Sequence, residues 1–219
     1  MPALSPDDIA RLAPDGRLEP VARRAVVPLD APVVTIVVVG WFRVFRNAAF
    51  ARDVTLGLVG PGEVLAPGAL FGDRSAESGA EAITAGTLLL VAAETLARHA
   101  AGAPGLYVAI GRSLARRTIA VQRKLEAFSR ATVEARVAGA LLELAESAGT
   151  AVSNGAVRLE LPLAQDDLAA LAGTTRESCS AAVAALARRG LVRGHRLRGL
   201  VLVDPAGLAG LVSADLPTP

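Results

Sequence analysis

A stretch of about 25 residues between Leu106 and Arg130 sets the strongest limit on how this chain can fold. Apart from Gly111 it contains no Gly and no Pro, so nothing in it stops a helix from forming. Such a helix would be about 37 Å long. A rod of that length divides the chain into two parts. We therefore predict an N-terminal domain at residues 1–102, a linking helix at 103–130 and a C-terminal domain at 131–219.

Apolar or small side chains recur along this helix in steps of four and three, which is a heptad-like pattern. A single apolar stripe of this length, between two domains, is best buried against a copy of itself, so we predict a homodimer. The alternative is that the stripe packs against the chain's own N-terminal domain. The predicted dimer contacts are Ile110, Leu114, Val121, Leu125 and Phe128.

The segment before this helix, residues 17–100, has the pattern of short β-strands. Its Val- and Leu-rich runs are Val33–Val39, Trp41–Phe45, Val54–Val59 and Leu88–Ala92, and closely spaced Gly and Pro residues separate them. This density of turn signals favours an antiparallel sandwich or roll. Hydrophobic residues make up 52% of the chain but aromatic residues only 3%, so the core must be aliphatic. A short helix is predicted ahead of the strands, at Asp7–Leu12.

Two short helices near the C-terminus are separated only by a Gly-containing turn. The first is predicted at Gln165–Leu171, and Gly173 can take the left-handed conformation that ends it. Thr174 then starts the second helix, with Glu177 three residues later in the capping-box position. Helices joined by so short a turn must cross steeply, which is helix-turn-helix geometry.

The second of these helices is predicted to have a buried face and an open face. Cys179, Val183 and Leu186 recur at the spacing of a buried face. Cys179 is read as a small core residue, and a redox sensor is the alternative. The open face is polar at its N-terminal end and small in the middle, so nothing blocks its insertion into a DNA major groove about 12 Å wide. That face consists of Arg176, Glu177, Ser180, Ala181, Ala184 and Arg188.

A basic hairpin is predicted after the second helix. Leu191-Val192 and Leu200–Val203 would pair as strands on either side of a loop that contains Arg196 and Arg198. A basic loop of this kind suits contacts with phosphates. Asp204-Pro205 then opens a last short helix as its N-cap and first residue.

Positive charge is concentrated in the C-terminal half of the chain. Residues 1–101 carry nine Arg against eleven Asp and Glu, whereas residues 174–200 carry six Arg against Glu177 alone. Charge concentrated in this way is typical of a surface that faces an anion. The block at residues 112–136, with seven Lys and Arg against two Glu, is interpreted instead as a solvated helix face.

Other features exclude several classes of protein. The longest apolar run, Ala31–Phe42, is too short to span a bilayer, and Met1–Arg11 has no signal-peptide pattern. We therefore expect a soluble cytoplasmic protein with no membrane partner. The single Cys excludes a disulfide framework and a cysteine-ligated iron–sulfur cluster. With two His and no clustered carboxylates, the chain offers no nucleophile–base pair or metal set, so we expect no enzyme and no metal.

Three short motifs in the C-terminal part resemble a known family. They are Gly173-Thr174-Thr175-Arg176-Glu177-Ser178-Cys179-Ser180, Gly190-Leu191-Val192 and Leu202-Val203-Asp204-Pro205. Together they are similar to the DNA-binding domain of the cyclic-AMP receptor protein/fumarate-nitrate reduction regulator (CRP/FNR) superfamily of bacterial transcription regulators. Leu106–Phe128 resembles that family's dimer helix, and Val133–Glu146, with Thr132 as N-cap, resembles the helix after its hinge. The implied α+β fold comprises an N-terminal antiparallel β-roll, a long dimerisation helix and a C-terminal winged helix-turn-helix.

This resemblance implies a homodimeric regulator that binds a palindromic double-stranded DNA operator and acts with RNA polymerase. It implies base contacts by Arg176, Glu177 and Ser180. Phosphate contacts would come from Thr175, Ser178 and His195, together with Arg196 and Arg198 of the basic hairpin. The family usually has a second Arg where this chain has Ala181, so the operator cannot be copied from the family's consensus. The alternative function is a small-molecule sensor of the same family with degenerate DNA contacts.

The β segment resembles a cyclic-nucleotide-binding roll but departs from it at two positions. Pro67 stands where the family's ribose-binding Glu belongs, and Glu81 lies in the run that matches the family's phosphate-binding Arg segment. A phosphodiester buried beside a carboxylate without a cationic partner would be strongly unfavourable, unless Arg74 compensated from a shifted loop. We therefore predict DNA binding without cyclic AMP, and we assign no cofactor.

Overall fold

The computed structural model of the protein describes residues 4–29, 33–46, 53–65, 79–130, 132–194 and 199–214. They form two compact units that divide within one long helix, between Ala120 and Val121. The elements of the first unit are α1 (Pro6–Leu12), β1 (Arg17–Val21), β2 (Val26–Val27), β3 (Val33–Val39), β4 (Phe42–Arg46), β5 (Val54–Val59), β6 (Gly79–Ala82), β7 (Gly86–Ala92), α2 (Ala93–Gly102) and the start of α3 (Gly105–Arg130).

Two antiparallel sheets build the first unit, as the strand pattern predicts. One sheet has the order β1-β7-β3 and the other β2-β6-β4-β5. Val37 and Leu88 of the first sheet share a buried hydrophobic cluster with Val44, Val59 and Ala80 of the second, so the sheets pack face to face. The bounds of β3 and β5 are those predicted, and β4 and β7 differ from the prediction by one or two residues.

Among the strands and α-helices described in this unit, β1, β2, β6 and α2 were not predicted. Strand β1 contains Pro20 and lies at the edge of its sheet, where a proline costs no ladder hydrogen bond. Strand β6 has the sequence Gly-Ala-Glu-Ala, which has little intrinsic β preference. It is a strand because β2 and β4 pair with it on both sides, and such tertiary pairing overrides local preference.

Helix α3 has the predicted length, but its predicted apolar stripe is not open along the whole helix. Ile110 is only 2% exposed and packs with Leu4, Leu12 and Leu89 in a core of the first unit. It is therefore not free to contact a second chain, and that part of the predicted stripe is corrected. The first turns of the helix pack on their own unit, which was the alternative interpretation. Among the described side chains of α3, the large apolar ones that are exposed are Tyr107, Val108, Ile119 and Leu125.

The second unit carries the predicted helix-turn-helix and a small antiparallel sheet with the order β10-β11-β9-β8. Helix α4 packs against α5, α6 and α7. Thr132 caps α4, and Asp204 accepts a hydrogen bond from the Gly207 amide at 2.8 Å to cap α7, both as predicted. The elements are the end of α3, α4 (Val133–Ala148), β8 (Gly149–Ala151), β9 (Val157–Leu159), α5 (Gln165–Ala172), α6 (Arg176–Arg188), β10 (Val192–Arg193), β11 (Val201–Leu202) and α7 (Pro205–Ala214).

Among the helices of the described residues, none combines the length and the apolar character needed to cross a membrane.

Candidate nucleic-acid interface

The turn between α5 and α6 is set by one glycine and one threonine. Gly173 ends α5 in the left-handed conformation with φ +60°, which an L side chain adopts only with strain. The Thr174 amide then donates to the Ala169 carbonyl at 2.9 Å, so Thr174 still belongs to the turn. Thr175 is the N-cap of α6, and its side chain accepts from the Ser178 amide at 3.2 Å. The predicted N-cap, Thr174, is therefore wrong by one residue, and Glu177 is the second residue of the helix rather than the third position of a capping box.

Helix α6 has the two faces that the sequence predicts. Cys179, Val183 and Leu186 are buried in the second unit. The opposite side is open to solvent along the whole helix. Its exposed residues are Arg176, Glu177, Ala181, Ala184 and Arg188, and Ser180 beside them is half-buried.

The three side chains predicted to contact bases lie together in the first two turns of α6. Arg176 is the first residue of the helix and Glu177 the second. The Arg176 guanidinium lies 3.9 Å from the Asp166 carboxylate, and the two side chains are 63% and 66% exposed. An ion pair this exposed contributes little. The guanidinium can therefore leave Asp166 for another acceptor at small cost.

Thr175 and Ser178, the two predicted phosphate contacts outside the hairpin, meet at the N-terminus of α6. The Thr175 hydroxyl donates to Oγ of Ser178 at 3.1 Å and accepts from the Ser178 amide. Backbone amides and the positive end of the helix dipole attract anions at such a position. The geometry is compatible with the predicted phosphate contact.

The two paired strands of the predicted hairpin are present in the structure. Strands β10 and β11 pair antiparallel, with Val192 opposite Leu202 and Arg193 opposite Val201, and Arg193 is exposed. Three predicted phosphate contacts lie outside the described residues: His195, Arg196 and Arg198.

The first turn of α4 makes contacts, missed by the sequence reasoning, with the C-terminal ends of both helices of the helix-turn-helix. Arg136 donates from Nε to the carbonyl of Ala172, the last residue of α5, at 3.2 Å. Glu134 lies 3.5 Å from Arg189, the C-cap of α6. These pairs are 36 and 55 residues apart in the chain, so no local pattern signals them.

The N-terminus of α5 is capped in an unusual way. Ala164 stands at the N-cap and has no side-chain acceptor. The buried carboxylate of Asp167 accepts from the Ala164 amide at 2.7 Å instead. One of the helix's unsatisfied amides is thus paired from within the first turn.

Cys179 lies on the buried face of α6, and burial raises the pKa of its thiol to about 11, with a further contribution from Asp166. A redox-sensing cysteine needs a lowered pKa and access to solvent. The interpretation of Cys179 as a small core residue fits this environment, and a sensor role does not.

In the first unit, the structure contradicts the role assigned to Glu81. Glu81 lies on strand β6, and its carboxylate accepts from Arg24 at 2.9 Å and from Arg43 at 2.5 Å. Glu81 thus has two cationic partners of its own, so it is not an unpaired carboxylate waiting beside a phosphate site. Burial alone would raise the pKa of Glu81, but the hydrogen bonds from Arg43 and Arg24 outweigh it and hold the pKa below its usual value. Pro67 and Arg74 lie outside the described residues.

Comparison with known proteins identifies the family. Residues 135–211 match the family model of the Crp-like helix-turn-helix domain. Over 158 residues the chain is 30% identical to the CRP-like cAMP-activated global transcriptional regulator of Mycobacterium tuberculosis, and the match covers 72% of this chain and 70% of that protein. This chain belongs to the CRP/FNR family of transcription regulators.

Two further relatives agree with the family assignment. The chain is 32% identical over 158 residues to the cyclic AMP receptor protein of Thermus thermophilus, with 72% of this chain and 69% of that protein covered. The crystal structure of a CRP/FNR-family transcriptional regulator, also from Thermus thermophilus, matches with a TM-score of 0.70 and 26% identity, over 91% of this chain and 100% of that one. This CRP/FNR-family chain is thus a transcription regulator with a helix-turn-helix DNA-binding domain, and not an enzyme.

Proposed function

We propose that this regulator binds a palindromic double-stranded operator with sequence specificity, as a homodimer. The observation that carries the proposal is the open face of α6, where Arg176 and Glu177 project from the first turn while the opposite face is buried. An Arg can bond both acceptors of a guanine in the major groove, and a Glu can accept from the amino group of a cytosine. Neighbouring residues with these two preferences suit G·C pairs.

Dimerisation is proposed through α3. Where the side chains of α3 are described, at residues 105–127, four large apolar ones are 46% to 64% exposed: Tyr107, Val108, Ile119 and Leu125. Exposed apolar residues concentrated on one long helix are better buried against a second copy than left in water. Leu114 and Val121 are half-buried on the same helix and stay proposed contacts, and so does Phe128, about whose side chain the structure says nothing.

A two-fold dimer has a consequence for the DNA site. It presents two copies of α6, which would enter major grooves about one helical turn, or roughly 34 Å, apart. The operator should then be a palindrome with that half-site spacing. RNA polymerase is proposed as a further partner on the family resemblance alone.

We propose in addition that operator binding does not require cyclic AMP. Because Glu81 is paired with two arginines, the proposal rests on Pro67, whose side chain has no acceptor for ribose hydroxyls at the position of the family's Glu. The two curated relatives are named as cyclic-AMP-activated and as a cyclic-AMP receptor. Under this proposal, the chain differs from both relatives in binding its operator without cyclic AMP.

Selection from a random duplex library with the full-length protein tests the proposed DNA binding. We expect enrichment of a palindrome. On that selected operator, Arg176→Ala should cost about 1–3 kcal/mol and relax the preference at one base pair in each half-site. Arg17→Ala is the matched control, because the Arg17 side chain is also largely exposed, at 73% against 63% for Arg176, but lies on β1 of the first unit.

The outcomes of this selection separate the candidate functions. No enriched sequence would reject sequence-specific binding and favour the small-molecule sensor with degenerate DNA contacts. A palindrome whose base preferences survive Arg176→Ala would reject the assignment of Arg176 while leaving DNA binding intact.

A further inference from the structure

The middle of the open face of α6 is occupied by a methyl group. Ala181 is exposed, and it lies four residues after Glu177 and three before the exposed Ala184. Residues four apart on a helix are neighbours on the same face. A helix whose first turn carries Glu177 into a major groove therefore brings the Cβ of Ala181 towards the base edges as well.

The chemistry of a methyl group determines which base edge it tolerates. A base that presents an amino group or a carbonyl oxygen towards Ala181 loses hydrogen bonds to water and receives none in return, which is unfavourable. A thymine presents its C5-methyl group in the major groove, and contact between two apolar groups removes both from water at no such cost. Thymine is the base that best matches this position.

We propose that Ala181 is a specificity-determining residue that selects a thymine through contact with its C5-methyl group. The inference rests on the proposed function, in which α6 reads the operator. It also predicts where that thymine lies. Ala181 is about 6 Å along the helix axis from Glu177, so the thymine should fall within about two base pairs of the pair that Glu177 contacts.

A second explanation of Ala181 is steric: a small side chain lets the helix backbone approach the DNA closely without any preference for a base. The two explanations differ in one measurable respect. A steric role is indifferent to the methyl group of thymine, whereas the proposed contact depends on it.

The experiment pairs a change in the DNA with a change in the protein. In the operator selected with the full-length protein, each thymine is replaced in turn by deoxyuridine, which lacks only the C5-methyl group, and the Kd is measured by fluorescence anisotropy. At one thymine in each half-site, loss of the methyl group should weaken binding by about fourfold per half-site, the factor expected for returning one methyl group to water.

The same two duplexes are then compared with Ala181→Gly. The ratio of the Kd for deoxyuridine DNA to the Kd for thymine DNA should fall to about one. Any general loss of helix stability from the glycine affects both duplexes equally and cancels in this ratio. Ala187→Gly is the matched control, because this half-buried alanine lies in the last turn of the same helix, about 9 Å further along its axis. With this variant the ratio should stay near its wild-type value.

Three results would overturn the inference while leaving operator binding intact. They are selected half-sites without a thymine in this region, deoxyuridine duplexes that all bind like thymine duplexes, and an unchanged ratio with Ala181→Gly. Absence of any selected operator would instead reject the proposed function, so the two failures are distinguishable.

Discussion

Replacing Leu125 by Lys tests dimerisation through α3 without disturbing the protomer. The Leu125 side chain is 64% exposed in the single chain, so it contributes little to the protomer's own core. In a dimer through this face, two copies of the residue would approach the two-fold axis. The substitution should therefore affect association but not folding.

The exposed fraction gives the size of the effect. Full burial of a leucine side chain contributes about 1.5–3 kcal/mol, and about two thirds of this one remains to be buried on association. Two copies together would contribute roughly 2–4 kcal/mol to the dimer, which corresponds to a change in its dissociation constant of about 30- to 1000-fold. Two opposed ammonium groups in a desolvated seam add a further penalty.

Light scattering and sedimentation at micromolar concentration measure the association, and thermal melting measures the fold. We expect a dimer for the wild type and a monomer for Leu125→Lys, which should also lose operator binding. At a concentration low enough for both proteins to be monomeric, their melting temperatures should be the same. Ile110→Ala is the contrasting variant: Ile110 is 2% exposed in the core of the first unit, so it should destabilise the protomer by about 2–5 kcal/mol. A monomeric wild type, or a dimeric Leu125→Lys variant, would refute the proposed interface.

The remaining predictions concern cyclic AMP, the ion pairs of Glu81 and the thiol of Cys179. Millimolar cyclic AMP should change neither operator affinity nor melting temperature, and a tenfold gain in affinity would contradict the proposal based on Pro67. Glu81→Gln should destabilise the protein by about 2 kcal/mol at pH 7, a value between those of exposed and buried ion pairs. Glu19→Gln is the control: it removes the exposed partner of Arg17 and should change the stability little. The two arginines lower the pKa of Glu81 in the folded protein, so the stability contributed by Glu81 is present above its ordinary pKa of 4.5 and is lost as the pH falls through the lower folded value. Urea titrations at several pH values should therefore show that the stability difference between wild type and Glu81→Gln narrows in acid. A difference that stays constant in acid would contradict this. Burial raises the pKa of Cys179 to about 11, so the thiol of the native protein should resist iodoacetamide at pH 7. The folded protein should lose stability as the pH rises from 9.0 to about 11, because the thiol ionises more readily in the unfolded chain. Rapid labelling without denaturant would contradict the buried position.

The sequence predicts best where local signals agree with tertiary packing. Strands β3 and β5 are Val-rich runs between turn signals, and their predicted bounds are those of the structure. The helix-turn-helix is equally local, because Gly173 fixes the turn and the apolar spacing of α6 fixes its buried face. The one-residue error in the N-cap arises because Thr174 and Thr175 offer the same capping hydroxyl. Only the backbone conformation after Gly173 distinguishes them.

Sequence reasoning falls short where a role depends on partners distant in the chain. Periodicity alone places Ile110 and Leu125 on one stripe, but α1 and the first sheet cover one end of it, and no pattern within α3 reveals where that cover stops. The contacts of Arg136 and Glu134 with the ends of α5 and α6 are missed for the same reason. They join residues that only the packing of α4 brings together.

The misassignment of Glu81 shows how a strand changes the meaning of a charge. Ala80 and Ala82 are fully buried between the two sheets. Because side chains alternate along a strand, Glu81 between them must point to the outer side of its sheet, where Arg24 and Arg43 bind it. A carboxylate on that side does not face the space between the sheets, so it gives no argument against an anion bound inside the roll. Glu81→Gln should therefore change stability without changing the response of operator binding to cyclic AMP. A gain of cyclic-AMP response in that variant would show that Glu81 acts on the nucleotide after all.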